Sequence, residues 1–383
     1  MTEKRIKIGY LSSRDARNIR EWSGTMYHMA NSLEKHVGEV VFLGPYKPRF
    51  IIFYMKVLNK VSLYILGKRY GFAHSYLMSM AYKLRFESRI KKEKPDIIFA
   101  ATATPEISRI KTSIPIVNLN DTTFELLVDN YSNFTKLLPF SRRRNERTEK
   151  AANLNSAAFV VSSDWARRSL INYYGMPDNK IHIISYGANL SRIPQASEIQ
   201  LKPQGTTKIL FLGVDWQRKG GAIAFNAFVD LTNRGIDAEL TVIGCTPPEY
   251  VKHAKLSIIP FLDKNKERDF ERLYSILSDT HLMLVPSRGD CTPIVFCEAN
   301  AFGIPVISTD VGGISSVIED GKNGILLPLE ASPALYADKM EELLKNPQRY
   351  SELVVTSRKY YDEKLNWNKW GEEMSKLFHS LIN

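Results

Sequence analysis

The stretch Pro286 to Gly313, PSRGDCTPIVFCEANAFGIPVISTDVGG, constrains this chain more than any other. Before it, His281 to Val285 is an apolar run that reads as a buried strand ending at Pro286, and Ser287-Arg288-Gly289-Asp290 is a polar turn. Thr292 suits an N-cap and Pro293 the first helical position, so the spacing predicts a helix opening there. Strand, polar turn and helix start form the unit of an open parallel sheet. The backbone at Cys291, Thr292, Pro293 and Ile294 is then placed as an anion site.

Asp290 stands at the mouth of that site, and Glu298 follows two helical turns later. A carboxylate repels phosphate, so Asp290 has to face hydroxyls or a backbone N–H. A ligand that carries both phosphate and many hydroxyls is a sugar nucleotide. The competing reading makes Asp290 a turn residue and Glu298 part of a solvated helix face.

The segment resembles the donor-binding signature of family 4 retaining glycosyltransferases, which have the GT-B fold. That signature is two acidic residues with seven between them, an Ala/Gly-rich helix end, Gly-x-Pro-Val and a Gly-Gly turn. Here the matching residues are Asp290, Glu298, Gly303-Ile304-Pro305-Val306 and Gly312-Gly313, with Asp in place of the first Glu and so one methylene shorter. The resemblance implies an α/β chain of GT-B type, two Rossmann-like domains facing across a cleft. It also implies Glu298 on the ribose hydroxyls and Asp290 on the sugar hydroxyls of a nucleotide diphospho-sugar.

At 383 residues the chain exceeds what one hydrophobic core serves, so two domains are expected. The opening MTEKRIKIGY lacks the apolar stretch of a signal peptide, and no run approaches ~18 apolar residues. A cytoplasmic protein, peripheral on the inner membrane face, is the expectation. Cys245, Cys291 and Cys297 are too few and too unevenly spaced for a disulfide framework or a zinc site. The net charge of +11 is unevenly divided: residues 1–190 hold 30 Lys+Arg against 16 Asp+Glu, and residues 191–383 hold 22 against 25. The N-terminal half therefore calls for an anionic partner: a membrane face, a nucleic acid or a phosphorylated acceptor. No nucleic-acid recognition motif accompanies the charge, which argues against the second.

That half alternates strands and helices. A strand from Arg5 to Leu11 leads to Trp22-Ser23-Gly24 and a helix over Thr25 to His36. Gly24 reads either as a turn glycine or, by the resemblance, as a point where backbone touches donor diphosphate or acceptor. Between Glu39 and Glu87 there is no acidic residue. Arg49, Lys56 and Lys60 fall on one helical face there and Ile51, Met55, Leu58 and Ile65 on the opposite one, with Phe50, Phe53, Tyr54 and Tyr64 trailing. Such a helix either lies on an anionic bilayer or packs its apolar face on the domain core. Asp121, after the strand Ile114 to Leu119, is an N-cap for a helix near Phe124 or, by the resemblance, the residue that reaches the donor sugar. Arg142-Arg143-Arg144, with Arg147 and Lys150, is a second basic cluster on an expected helix.

The expected domains are 1–189, a linker over 190–207 rich in Ser, Pro and Gln, a donor domain over 208–355, and a C-terminal helix over 356–383 that crosses back to the first domain. Within these, Leu256 to Ile259 reads as a strand, and Pro333 to Leu344 and Tyr350 to Ile382 as helical. Past the linker, Lys208 to Val214 reads as a strand, followed by Asp215-Trp216-Gln217-Arg218-Lys219-Gly220-Gly221. Two cations and two glycines at a strand end suit a diphosphate, and fixed cations there stabilise a leaving diphosphate as its charge grows. The resemblance places an Arg and a Lys-Gly in this loop after Phe211-Leu212-Gly213. Lys219 and Gly213 match it by position, whereas Val214 stands where relatives carry Arg, so Arg218 takes that role by reach. By the same resemblance Phe261 contacts the nucleobase, with a core aromatic as its rival reading. The activity implied is transfer of a sugar to a hydroxyl acceptor, lipid-linked or anionic, with retention, no metal and no cofactor, the nucleotide-sugar being a substrate. The rivals are an inactive glycosyltransferase-like binding subunit and a GT-B epimerase or hydrolase of the nucleotide sugar.

Overall fold

The computed structural model describes residues 5–128, 131, 134–201 and 205–382. The chain divides into two compact units, Met1–Ile184 with Trp367–Asn383, and Ser185–Asn366.

In the first unit the order is β1 (Ile6–Leu11), α1 (Thr25–His36), β2 (Gly38–Phe42), α2 (Arg49–Leu66), α3 (Tyr76–Glu93), β3 (Ile97–Ala101), α4 (Thr104–Ile107), β4 (Ile116–Leu119), α5 (Phe124–Leu127), α6 (Pro139–Leu154), β5 (Ala158–Val161), α7 (Asp164–Asn172) and β6 (Ile181–Ile183). The six strands form one parallel sheet in the order β2-β1-β3-β4-β5-β6. β3, β4 and β5 are buried along their whole length, as strands covered on both faces must be.

The second unit runs β7 (Thr207–Leu212), α8 (Gly221–Asn233), β8 (Ala238–Ile243), β9 (Leu256–Ile259), α9 (Glu267–Asp279), β10 (Leu282–Val285), α10 (Ile294–Ala301), β11 (Val306–Thr309), β12 (Gly324–Leu327), α11 (Pro333–Leu344) and α12 (Pro347–Glu363). Its parallel sheet has the order β12-β11-β10-β7-β8-β9. Strand order therefore reverses between β7 and β10, which are paired neighbours although four elements separate them in the chain. In a doubly wound sheet a ligand binds outside the carboxyl ends of the strands at such a reversal. The corresponding reversal in the first sheet lies between β1 and β3.

Two differences from the sequence reading concern the boundaries. The chain changes unit between Ile184 and Ser185, and Ala188 and Leu190 are buried in the second core, so the expected linker starts as packed structure; its residues 202–204 lie outside the described residues. The periodic stretch from Tyr350 to Ile382 is two helices, because the chain breaks at Lys364–Asn366, where the Asn366 amide donates to the Tyr361 and Asp362 carbonyls. α12 stays with the second unit and only α13 (Trp367–Ile382) joins the first. There Ser32 Oγ donates to the Trp367 carbonyl, the His28 and Trp367 rings stack at 5.8 Å, and Trp370 meets Phe99 edge-on at 6.0 Å.

Candidate functional site at the strand reversal of the second sheet

The loops that leave β7 and β10 are tied together. The Arg288 N–H donates to the Arg218 carbonyl at 2.7 Å, and the Arg218 guanidinium donates to the Gly289 carbonyl at 3.0 Å. Gly220 makes that approach feasible: its φ is +73°, and a Cβ there would stand 1.9 Å from the Pro286 carbonyl oxygen. Gly213, at the end of β7, leaves room for the stem of Lys219, whose Cγ would lie 2.9 Å from a Cβ at that position.

Within this frame Lys219 Nζ contacts Asp290 Oδ2, and Arg218 Nη1 lies 3.6 Å from the same oxygen. Both members of the first pair are nearly buried. Burying two ions is unfavourable unless they compensate one another, so each holds the other in place. The Gly-Gly turn completes the clamp: the Gly313 N–H donates to the Asp290 carbonyl at 3.0 Å, and Gly312, with φ +63°, would place a Cβ 2.2 Å from that carbonyl oxygen. The sequence reading gave the cations and Asp290 separate tasks; in the fold they form one coupled group.

α10 begins one residue later than expected. Pro293, not Thr292, is its N-cap, with ψ 100° outside the helical region and no side-chain cap hydrogen bond of its own. Cys291 and Thr292 are buried beside this start. Glu298, one further turn along, is fully buried, so the solvated-face reading fails. Its Oε1 is held by Lys264 Nζ, and its Oε2 has no hydrogen-bond partner among the described residues. Lys264 follows β9 in a loop shaped by Asp263, whose Oδ1 accepts from the Asn265 backbone and side chain. Sequence reasoning missed Lys264, although it lies three residues after the singled-out Phe261. Phe261 is 69% exposed, which excludes the core-aromatic reading.

The remaining expected residues lie in the first unit. Gly24 caps α1 with φ +93° and ends a left-handed run with Trp22 (φ 49°) and Ser23 (φ 55°), a strained conformation for residues with side chains. Asp121 lies just past β4, and the N-cap of α5 is Thr123, so Asp121 does not serve as that cap. Near the reversal of the first sheet the fold adds Glu106, buried, accepting from the Ser13 N–H at 3.3 Å, and pushed up by burial. Among the described residues no group of three or more His, Cys, Asp or Glu side chains converges to hold a metal ion, and no helix is long and apolar enough to cross a membrane.

Comparison with known proteins follows the same division. The family model described as Glycosyltransferase Family 4 matches residues 25–192, and that described as Glycosyl transferases group 1 matches residues 206–346. The chain is 23% identical over 334 residues to spore coat protein SA of Bacillus subtilis, covering 80% of this chain and 84% of that protein. It is 26% identical over 223 residues to a D-inositol 3-phosphate glycosyltransferase of Corynebacterium diphtheriae, covering 53% of this chain and 51% of that protein. The chain thus spans about half the length of the latter. Among solved structures, sucrose-phosphate synthase from Thermosynechococcus elongatus superposes with a TM-score of 0.67 at 17% identity, covering 99% of both chains.

Proposed function

This chain is a GT-B-fold glycosyltransferase, matched along both halves by glycosyltransferase family models, and on that premise we propose that it moves a sugar from a nucleotide diphospho-sugar to an acceptor hydroxyl with retained anomeric configuration. The observation that carries the reading is Glu298. A fully buried carboxylate with one oxygen on Lys264 and the other unpartnered is costly in free energy unless a donor reaches it, and ribose hydroxyls are donors of the right kind.

The diphosphate lies against Arg218 and Lys219, and the start of α10 adds backbone N–H groups. As the bond from sugar to phosphate breaks, negative charge grows on the leaving diphosphate, and these groups stabilise it without a metal ion. Asp290 fixes Lys219 and turns toward sugar hydroxyls. The acceptor proton leaves on a phosphate oxygen, so no protein base is assigned. The acceptor is a lipid-linked or otherwise anionic molecule met at the cytoplasmic membrane face, a reading supported by the basic excess of residues 1–190.

A thermal-shift screen of UDP, GDP and ADP, each with and without magnesium, tests the donor site. One nucleotide should raise the melting temperature of the wild type without metal, and Glu298→Ala should abolish the rise. Stabilisation by none of the three, or an unchanged shift in the variant, overturns the assignment.

A further inference from the structure

The 18 residues of α2 bury only Met55 and Ser62 fully, while Ile51 and Ile52 pack on the first unit's core. The expected apolar face is therefore only partly an outer face: Ile51 and Met55 turn inward, and Ile65 is exposed. A second apolar stripe looks outward instead. Phe50 is 93% exposed, Phe53 72%, Tyr54 58% and Tyr64 91%, with Val57 and Val61 between them. At about 100° per residue these six fall within an arc of roughly 100°. Arg49, Lys56 and Lys60 occupy the strip directly beside it.

The patch continues past the helix. Arg69 exchanges backbone hydrogen bonds with Lys136 and Leu138, at 2.8 and 3.0 Å, which brings the start of α6 to the end of α2. Phe140, 53% exposed, packs on Tyr70 there at 5.7 Å, and Arg143 is exposed three residues on. An exposed apolar patch of this size marks an interaction surface. Its occupant follows from charge. A second copy meeting this face symmetrically would set cation against cation, because no Asp or Glu occurs between Glu39 and Glu87 to answer them. An anionic bilayer accepts both parts at once: aromatic rings below the headgroups and ammonium groups on lipid phosphates.

We propose that α2 lies in the headgroup layer of an anionic membrane, with the Phe50 to Tyr64 stripe inserted and Arg49, Lys56 and Lys60 on phosphate. This rests on the peripheral-membrane part of the proposed function and names the element responsible. It is independent of donor binding.

The test is co-sedimentation of the full chain with vesicles of phosphatidylcholine alone and of phosphatidylcholine with phosphatidylglycerol. The wild type should bind the mixed vesicles and not the neutral ones, less tightly as salt rises. Phe53→Ser with Tyr64→Ser, and separately Lys56→Glu with Lys60→Glu, should each weaken binding about tenfold or more, since one surface cation contributes about fivefold. All four side chains lie on the outer face, and Tyr250→Ser, 79% exposed in the second unit, should bind like the wild type. Equal binding of the wild type to both vesicles, or to neither, overturns the peripheral reading and this one together. Anionic binding that survives both pairs of substitutions overturns the assignment to α2 alone. A wild-type dimer that becomes monomeric in the same variants gives the face to a second copy and likewise overturns it.

Discussion

Lys264 is the partner of Glu298, across 34 residues of sequence, and it is the residue that keeps a fully buried carboxylate charge-compensated. Removing it leaves that charge alone in the interior. Lys264→Met should lower the free energy of unfolding by about 3 kcal/mol, and Lys264→Met with Glu298→Gln should recover most of the loss. Chemical denaturation of the four proteins in the cycle measures this; a loss in the double variant equal to the sum of the two single losses would show that the pair is not coupled.

Lys219 and Asp290 should separate stability from chemistry. Lys219→Met is expected to reduce kcat about a hundredfold, as removal of one preorganised group facing developing charge does. Adding Asp290→Asn should restore stability without restoring turnover. Steady-state kinetics with the donor found by thermal shift, alongside melting curves, reads both. Retained kcat in Lys219→Met places the leaving-group charge elsewhere.

Glycine at 220 is required for two reasons that can be separated. Gly220→Ala meets both a positive φ and the Pro286 carbonyl, whereas Gly235→Ala, with φ +85° and nothing within 4 Å, meets only the first. The second substitution should cost about 1 kcal/mol and the first clearly more. Comparable losses at the two positions would mean that the loops from β7 and β10 are not held in close contact.

Two buried groups of the first unit should bend stability with pH in opposite directions. Burial raises the Glu149 carboxyl from 4.5 to about 7, so the folded state holds its proton more tightly. That contribution is fully present below 4.5 and is lost as pH rises through about 7, on the order of 3 kcal/mol in all. The His74 ring, whose Nδ1 is sealed from solvent, is lowered from 6.5 to about 4 by burial. Its contribution is present above 6.5 and is lost as pH falls through about 4. Relative to Glu149→Gln the wild type should therefore lose stability from pH 4.5 to 7, and relative to His74→Asn it should gain from pH 4 to 6.5. Denaturation curves that run parallel across these windows would rule the assignments out.

The strand and helix pattern was legible in the chain itself. The spans Thr25–His36, Leu256–Ile259 and Pro333–Leu344 agree with the structure to the residue, because apolar periodicity, turn residues and caps act over a few positions. The acidic pair with its two glycines was legible too, as a linear motif. Less so was the start of α10, where Thr292 suits an N-cap and Pro293 a first helical residue, yet the backbone angle of Pro293 starts the helix one residue later.

What the sequence by itself determined is therefore the alternating α/β architecture and the residue types of a phosphate-and-hydroxyl site. Only the tertiary structure decided which of them act together. Lys219 meets Asp290 because strand order reverses between β7 and β10 and makes their loops neighbours, and Lys264 meets Glu298 because the sheet is parallel, so the loop after β9 lies at the same end as the start of α10. Likewise α2 reads in sequence as one basic and one opposite apolar face with aromatics trailing, and only packing against the first core showed which apolar residues are left outside. Periodicity reports neighbours a turn away, whereas contacts across dozens of residues depend on sheet order, which no local signal encodes.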